Sequence, residues 1–219
     1  MNVKVFSEPN EIVDRLAELG LAQAGLLEVV QRGHTARLGC TPNHPPLTPG
    51  IMAWAETVCA LRELLRPEGW SRCDDGNWPL TINANGDIAL SVATGNEATG
   101  RAGSSPTTKS SKGPRTEEAV VTNALQLNLF EMAQDIPDVL DQGVDRTTWF
   151  LLIHFDHFEQ ELRSELARPI TMNREKKVDG WAERIILPAI PLDGTDISIG
   201  ASGGPDSGSD IEVEVRRRG

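Results

Sequence analysis

PLTINANGDIALSVAT, residues 79–94, is the stretch on which the class of fold turns. Strand-forming runs at Pro79–Asn83 and Asp87–Thr94 flank Asn85-Gly86, the dipeptide that best tolerates the positive backbone angles of a tight type I′ turn. The spacing therefore predicts an antiparallel hairpin. Upstream of it the period is helical. Ile12, Val13, Leu16 and Leu19, then Leu26, Leu27, Val29 and Val30, recur at helical spacing with Gly20 between the groups, which predicts short helices at 10–19 and 22–32. Gly33–Pro49 (GHTARLGCTPNHPPLTP) contains four prolines and reads as a loop. It leads into a helix at 50–66, with Ile51, Trp54, Val58, Leu61 and Leu65 on one stripe and Pro67 and Gly69 as its stop. Met1–Phe6 reads as a short edge strand.

Downstream, residues 95–115 (GNEATGRAGSSPTTKSSKGPR) offer almost no apolar side chain to bury, so they cannot offset their ordering entropy and are expected to be mobile or loosely tethered. Thr116 then caps a helix over 117–131, with Glu117 and Glu118 in its first turn. The stretch from there to Arg146 is acidic and irregular. Thr147–Asp156 (TTWFLLIHFD) reads as a buried strand, and Glu161–Thr171 alternates Leu162, Leu166 and Ile170 with charged residues, as a partner strand with one wet face would. His157–Gln160 joins the two as a hairpin. A polar turn at Asn173–Gly180 precedes a further strand at Trp181–Ile190. A flexible Gly/Ser/Asp segment at 192–209 and an edge strand at Asp210–Val215 complete the chain before three arginines.

This order of elements predicts an α+β fold: a mainly antiparallel sheet of five or six strands, with the N-terminal helices and one middle helix packed on one face. One domain is expected over 1–219, its helical part at 8–67 and its sheet part at 70–217. Three cysteines, an odd number without paired spacing, argue for a reducing compartment. Met1–Glu11 shows no basic leader followed by an apolar run, and no apolar stretch reaches membrane-spanning length, so a cytoplasmic protein without membrane contact is expected. A net charge of −11 repels polyanions and disfavours wrapping of nucleic acid by the whole surface.

Several constellations bring together side chains capable of chemistry. His34, Cys40, His44 and Cys73 are metal-ligating types, but their spacing matches no compact zinc motif, and no metal or other cofactor is expected. His154, Asp156 and His157 cluster at a strand end, where acid–base groups are often placed, with His154 and Asp156 on one face; no nucleophile accompanies them, and a polar hairpin end explains the same letters. A metal-assisted nuclease would use carboxylates near Asp87, Asp156 or Asp210, although the strand after Asp87 lacks the acidic-x-Lys such sites carry. Residues 95–115 lack the Gly-Lys-Ser/Thr helix opening of a phosphate loop. Their cations Arg101, Lys109, Lys112 and Arg115 still form a local basic site on an acidic chain and are the expected partner-binding residues. Five tryptophans without a tyrosine leave one or two free to anchor an interface, including that of a homo-oligomer.

Asn10–Gly20, Cys40-Thr41-Pro42-Asn43, Leu61-Arg62 to Gly69-Trp70, Ala93-Thr94-Gly95 to Thr99-Gly100, Lys109–Gly113 and Gly180-Trp181 to Leu187-Pro188 together resemble an uncharacterised proteobacterial family associated with phages, plasmids and integrated elements. The resemblance implies a setting rather than a reaction, and carries over no catalytic residue. The expectation is a non-enzymatic binding protein, an inhibitor or regulator whose partner is a host defence or gene-control protein or a protein–nucleic-acid complex.

Overall fold

The computed structural model describes residues 3–133 and 146–192. Within them the elements run β1 (Lys4–Phe6), α1 (Pro9–Glu18), α2 (Gln23–Leu38), α3 (Thr48–Leu65), β2 (Ser71–Cys73), β3 (Leu80–Ile82), β4 (Ile88–Thr94), α4 (Pro114–Ala133), β5 (Thr147–Asp156), β6 (Glu161–Met172), β7 (Val178–Ile186) and β8 (Ile190–Pro191). The fold is α+β. The expected strand at Asp210–Val215, the segment beyond Leu192 and the acidic stretch at 134–145 lie outside the described residues.

The strands form one sheet in the order β1-β7-β6-β5-β4-β3-β2, with β8 pairing the first residues of β6. It has eight strands rather than five or six, and although mainly antiparallel it is mixed: β1 runs parallel to β7, and β4 runs parallel to β5 from Ile88 beside Thr147 to Thr94 beside Ile153. The strands added to the expectation, β2 and β8, are three and two residues long, too short to leave a periodic signal. A parallel neighbour requires a long crossover, which here comprises 95–113 and α4.

Two local corrections have clear causes. The β3–β4 hairpin forms with Thr81 opposite Leu90 and Ile82 opposite Ala89, but its turn is wider than type I′. Gly86 alone takes a positive φ there (79°), Asn83 N–H donates to the Ile88 carbonyl at 3.0 Å, and the Asn83 side chain accepts from Ile88 N–H at 3.1 Å. Asn83 thus replaces Asn85 as the residue that closes the loop. In the second helix, Gly33 does not act as a stop, and α2 continues to Leu38. A Cβ at Gly33 would stand 2.0 Å from Thr57 Oγ1 and 2.8 Å from the Ala53 carbonyl, so this glycine marks the close crossing of α2 and α3.

The helices occupy both faces of the sheet, not one. On the first face Leu16, Leu26 and Leu61 from α1, α2 and α3 pack on Leu90, Trp149, Leu151, Leu166 and Ile185. On the second, Val120 of α4 packs with Phe150, Leu152, Ala167 and Trp181. The physical reason is the parallel β4–β5 connection: its crossover must pass over a face, and the first is already covered by the N-terminal helices.

Buried Asn123 fastens α4 to this face. Its amide donates to the Thr148 and Pro169 carbonyls at 2.8 and 2.9 Å and accepts from Thr148 N–H at 3.0 Å. This is where the β6–β7 register is irregular, at Arg168–Pro169.

Candidate binding site at the end of the β5–β6 hairpin

Strand alternation sets the chemistry of the second face. Even-numbered residues of β5 and odd-numbered residues of β6 share it, so His154 lies opposite Arg163, and Glu165 lies opposite Leu152. The sequence pattern suggests that this half of β6 faces water. Instead Arg163 (3% exposed), Glu165 (0%) and Arg184 of β7 (2%) are buried beneath residues 95–113.

That segment is a strap stitched across the face, which corrects the expectation of a mobile insertion over 95–115; its last two residues already belong to α4. Gly95 N–H donates to the Ile153 carbonyl at 2.9 Å, Lys109 N–H to Thr94 at 2.8 Å, Thr108 N–H to Val178 at 3.0 Å and Lys112 N–H to Lys176 at 2.7 Å. The sheet answers with side chains. Glu165 Oε2 accepts from Gly100 N–H at 3.0 Å, Arg184 donates to the Arg101 carbonyl at 3.1 Å and to the Ser104 carbonyl, and Trp181 Nε1 donates to the Pro106 carbonyl at 2.8 Å. Arg184 and Glu165 also pair bidentately at 3.1 and 2.5 Å. A strap with almost no apolar side chain to bury is thus ordered by satisfying its backbone from a buried ion pair.

Where the strap leaves β4, a cleft of about 440 Å³ opens against the hairpin, lined by Glu97 and Arg101 from the strap and by His154 through Glu159 from the hairpin. Asp156 organises it. One carboxylate oxygen accepts from Phe158 and Glu159 N–H at 3.0 and 3.1 Å, fixing the turn; the other takes Arg163 at 2.8 Å and Arg101 at 3.3 Å. The Glu159 N–H, with help from the Phe158 N–H and the Arg163 guanidinium, holds the Asp156 carboxyl below the usual carboxylate range, against the opposing effect of burial. His154 Nδ1 lies 3.3 Å from the Gly95 carbonyl, and burial, reinforced by nearby Arg163, pushes its imidazole below the ordinary value, favouring the neutral ring.

From the first face α2 braces the same hairpin. His34 stacks on Phe155 at 5.3 Å between centroids, the Arg37 guanidinium lies 5.1 Å from that ring, and His157 meets it edge-on at 4.1 Å. The turn is therefore clamped from both sides, and Phe158 at its tip is 97% exposed.

The expected site residues disperse. Of the four cations, Arg101 borders the cleft, whereas Lys109 and Lys112 lie further along the strap and Arg115 pairs with Asp75 at 2.8 Å and Glu118 at 3.2 Å. His154, Asp156 and His157 do come together in the cleft. Asp87 bonds Asn83 in the β3–β4 turn, beside the start of β5, and so lies at the opposite end of the sheet from Asp156; Asp210 is outside the described residues. His34 and His44 lie near the end of α2 while Cys73 sits in the edge strand β2, and among the described residues no group of three or more metal-ligating side chains converges. Among the described residues no helix is long and apolar enough to cross a membrane. Trp70, Trp149 and Trp181 are buried, and Trp54, 39% exposed, donates to the Val92 carbonyl at 3.3 Å.

Sequence reasoning missed Arg163, Glu165 and Arg184. The available signal was the strap itself: a long connection too polar to pack needs charged or amide partners on the strands beneath it. No protein-family model, curated protein or solved structure matches the chain.

Proposed function

We propose that this chain is a non-enzymatic binding protein that engages a protein, or a protein bound to nucleic acid, through the end of the β5–β6 hairpin. The observation that carries the reading is Phe158, 97% exposed on a turn whose two following N–H positions are fixed by Asp156. An aromatic ring in water costs solvation free energy unless a partner covers it, and a rigid turn reduces the ordering cost of association. Aromatic anchors of this kind dominate interface energetics. Catalysis is supported less well: among the described residues no hydroxyl or thiol lines the cleft beside His154, and its three carboxylates face a single lining arginine, which repels an anionic substrate. In line with the resemblance to proteins of mobile elements, the binding is read as inhibitory or regulatory.

The test is affinity capture from the native host with the wild-type chain and with Phe158→Asp. The reading expects a partner recovered by the first and lost by the second, at unchanged melting temperature. Equal recovery by both would remove the hairpin tip from the account.

A further inference from the structure

Resting on that reading, we infer that the occupant of the cleft is a cationic side chain, arginine or lysine, presented by an extended segment of the partner protein and seated between Glu97 and Glu159 against the ring of Phe158. Three observations converge on this chemistry. First, the cleft is electrostatically unbalanced: among the described residues Glu97, Asp156 and Glu159 line it with Arg101 as their one lining guanidinium. Asp156 is spent on two arginines and two N–H groups, whereas Glu97 and Glu159 are exposed and enter no ion pair among the described residues. Two unneutralised carboxylates beside apolar walls attract a cation and repel phosphate.

Second, the walls are aromatic. The exposed Phe158 lines the cleft together with the imidazoles of His154 and His157, and an aromatic ring face binds cations through its quadrupole. Third, the site already accepts a guanidinium from its own chain. Arg101 reaches Asp156 at 3.3 Å with its side chain 51% exposed, a long contact in a half-open position, while Arg163 holds the same oxygen at 2.8 Å from below. An incoming arginine meets the geometry Arg101 displays, with two further carboxylates in place.

The experiment uses blocked pentapeptides Gly-Gly-X-Gly-Gly, where X is arginine, lysine, citrulline or glutamate, titrated into the ¹⁵N-labelled full chain near physiological salt. The arginine and lysine peptides are expected to shift the amides of 97–101 and 154–160, and citrulline, the neutral isostere of arginine, and glutamate are not. Glu97→Gln combined with Glu159→Gln is expected to weaken arginine binding about five-fold, and Phe158→Ala by a similar factor. Glu117→Gln combined with Glu175→Gln removes the same charge remote from the cleft and is expected to leave binding unchanged. All five substituted side chains are exposed, so the fold is retained, which a melting curve checks. The inference is overturned by equal binding of citrulline, by shifts centred outside the cleft, by equal weakening in the remote charge variant, or by no binding at millimolar peptide. A partner captured through Phe158 but indifferent to Glu97 and Glu159 would overturn this inference and leave the proposed function standing.

Discussion

Replacing Glu165 by alanine tests what orders the strap. The carboxylate is fully buried, pairs bidentately with Arg184, itself 2% exposed, and accepts the Gly100 N–H. Its removal strands a guanidinium in the interior and orphans a backbone donor. Breaking a buried pair from one side costs about 3–5 kcal/mol, because the surviving charge loses its compensation. The cost is expected near 4 kcal/mol, and for a chain of this size each kcal/mol lowers the melting temperature by about 2–4 °C, giving a fall of about 8–16 °C by circular dichroism. The double variant Glu165→Leu with Arg184→Met separates stability from tethering. With both charges gone the sheet recovers much of its stability, yet Gly100 N–H and the Arg101 and Ser104 carbonyls have lost their partners. Hydrogen exchange should therefore show the strap amides losing protection while β5 and β6 keep theirs. A single-variant loss below about 1 kcal/mol, or strap amides as protected in the double variant as in the wild type, would refute the reasoning.

Three further outcomes follow from the same geometry. Asn123→Leu leaves the Thr148 N–H and the Pro169 carbonyl without partners in the interior and is expected to cost about 2–4 kcal/mol in urea unfolding, more than the added apolar volume returns. Gly33→Ala drives a methyl into the Thr57 hydroxyl and the Ala53 carbonyl and is expected to cost about 1–3 kcal/mol, relieved in part by Thr57→Ala. Burial depresses the His154 pKa in the folded chain, so between the folded value and the ordinary value of about 6.5 the unfolded chain binds the extra proton. Stability should thus fall as pH drops from 7 through about 6.5, and His154→Gln should flatten melting temperature against pH in that window.

What was legible in the sequence was whatever depends on local period. Leu16 and Leu26 announced α1 and α2, the run Thr147–Asp156 announced β5, and the four residues His157–Gln160 announced its hairpin, because helix and strand periods are written in adjacent residues. Gly33 misled because a glycine required for close helix crossing looks the same as one that ends a helix. The parallel pairing of β4 and β5 was hidden for a related reason: register is a property of two distant segments, and nothing within 88–94 distinguishes a parallel neighbour from an antiparallel one. Half of the site was visible, since His154, Asp156, His157 and Arg101 were each singled out from their letters. That Arg101 joins the other three was not, because it reaches Asp156 only through a strap whose order comes from Arg184 and Glu165, and these read locally as the wet side of strands.

The central claim is that the hairpin tip and the cleft beside it form one binding surface. Differential hydrogen–deuterium exchange of the chain, free and in complex with its captured partner, tests it most directly. The account predicts new protection confined to 97–101 and 154–160, with α3 and α4 unchanged. Protection centred on the α2–α3 helices or on α4, with the hairpin unaltered, would contradict it.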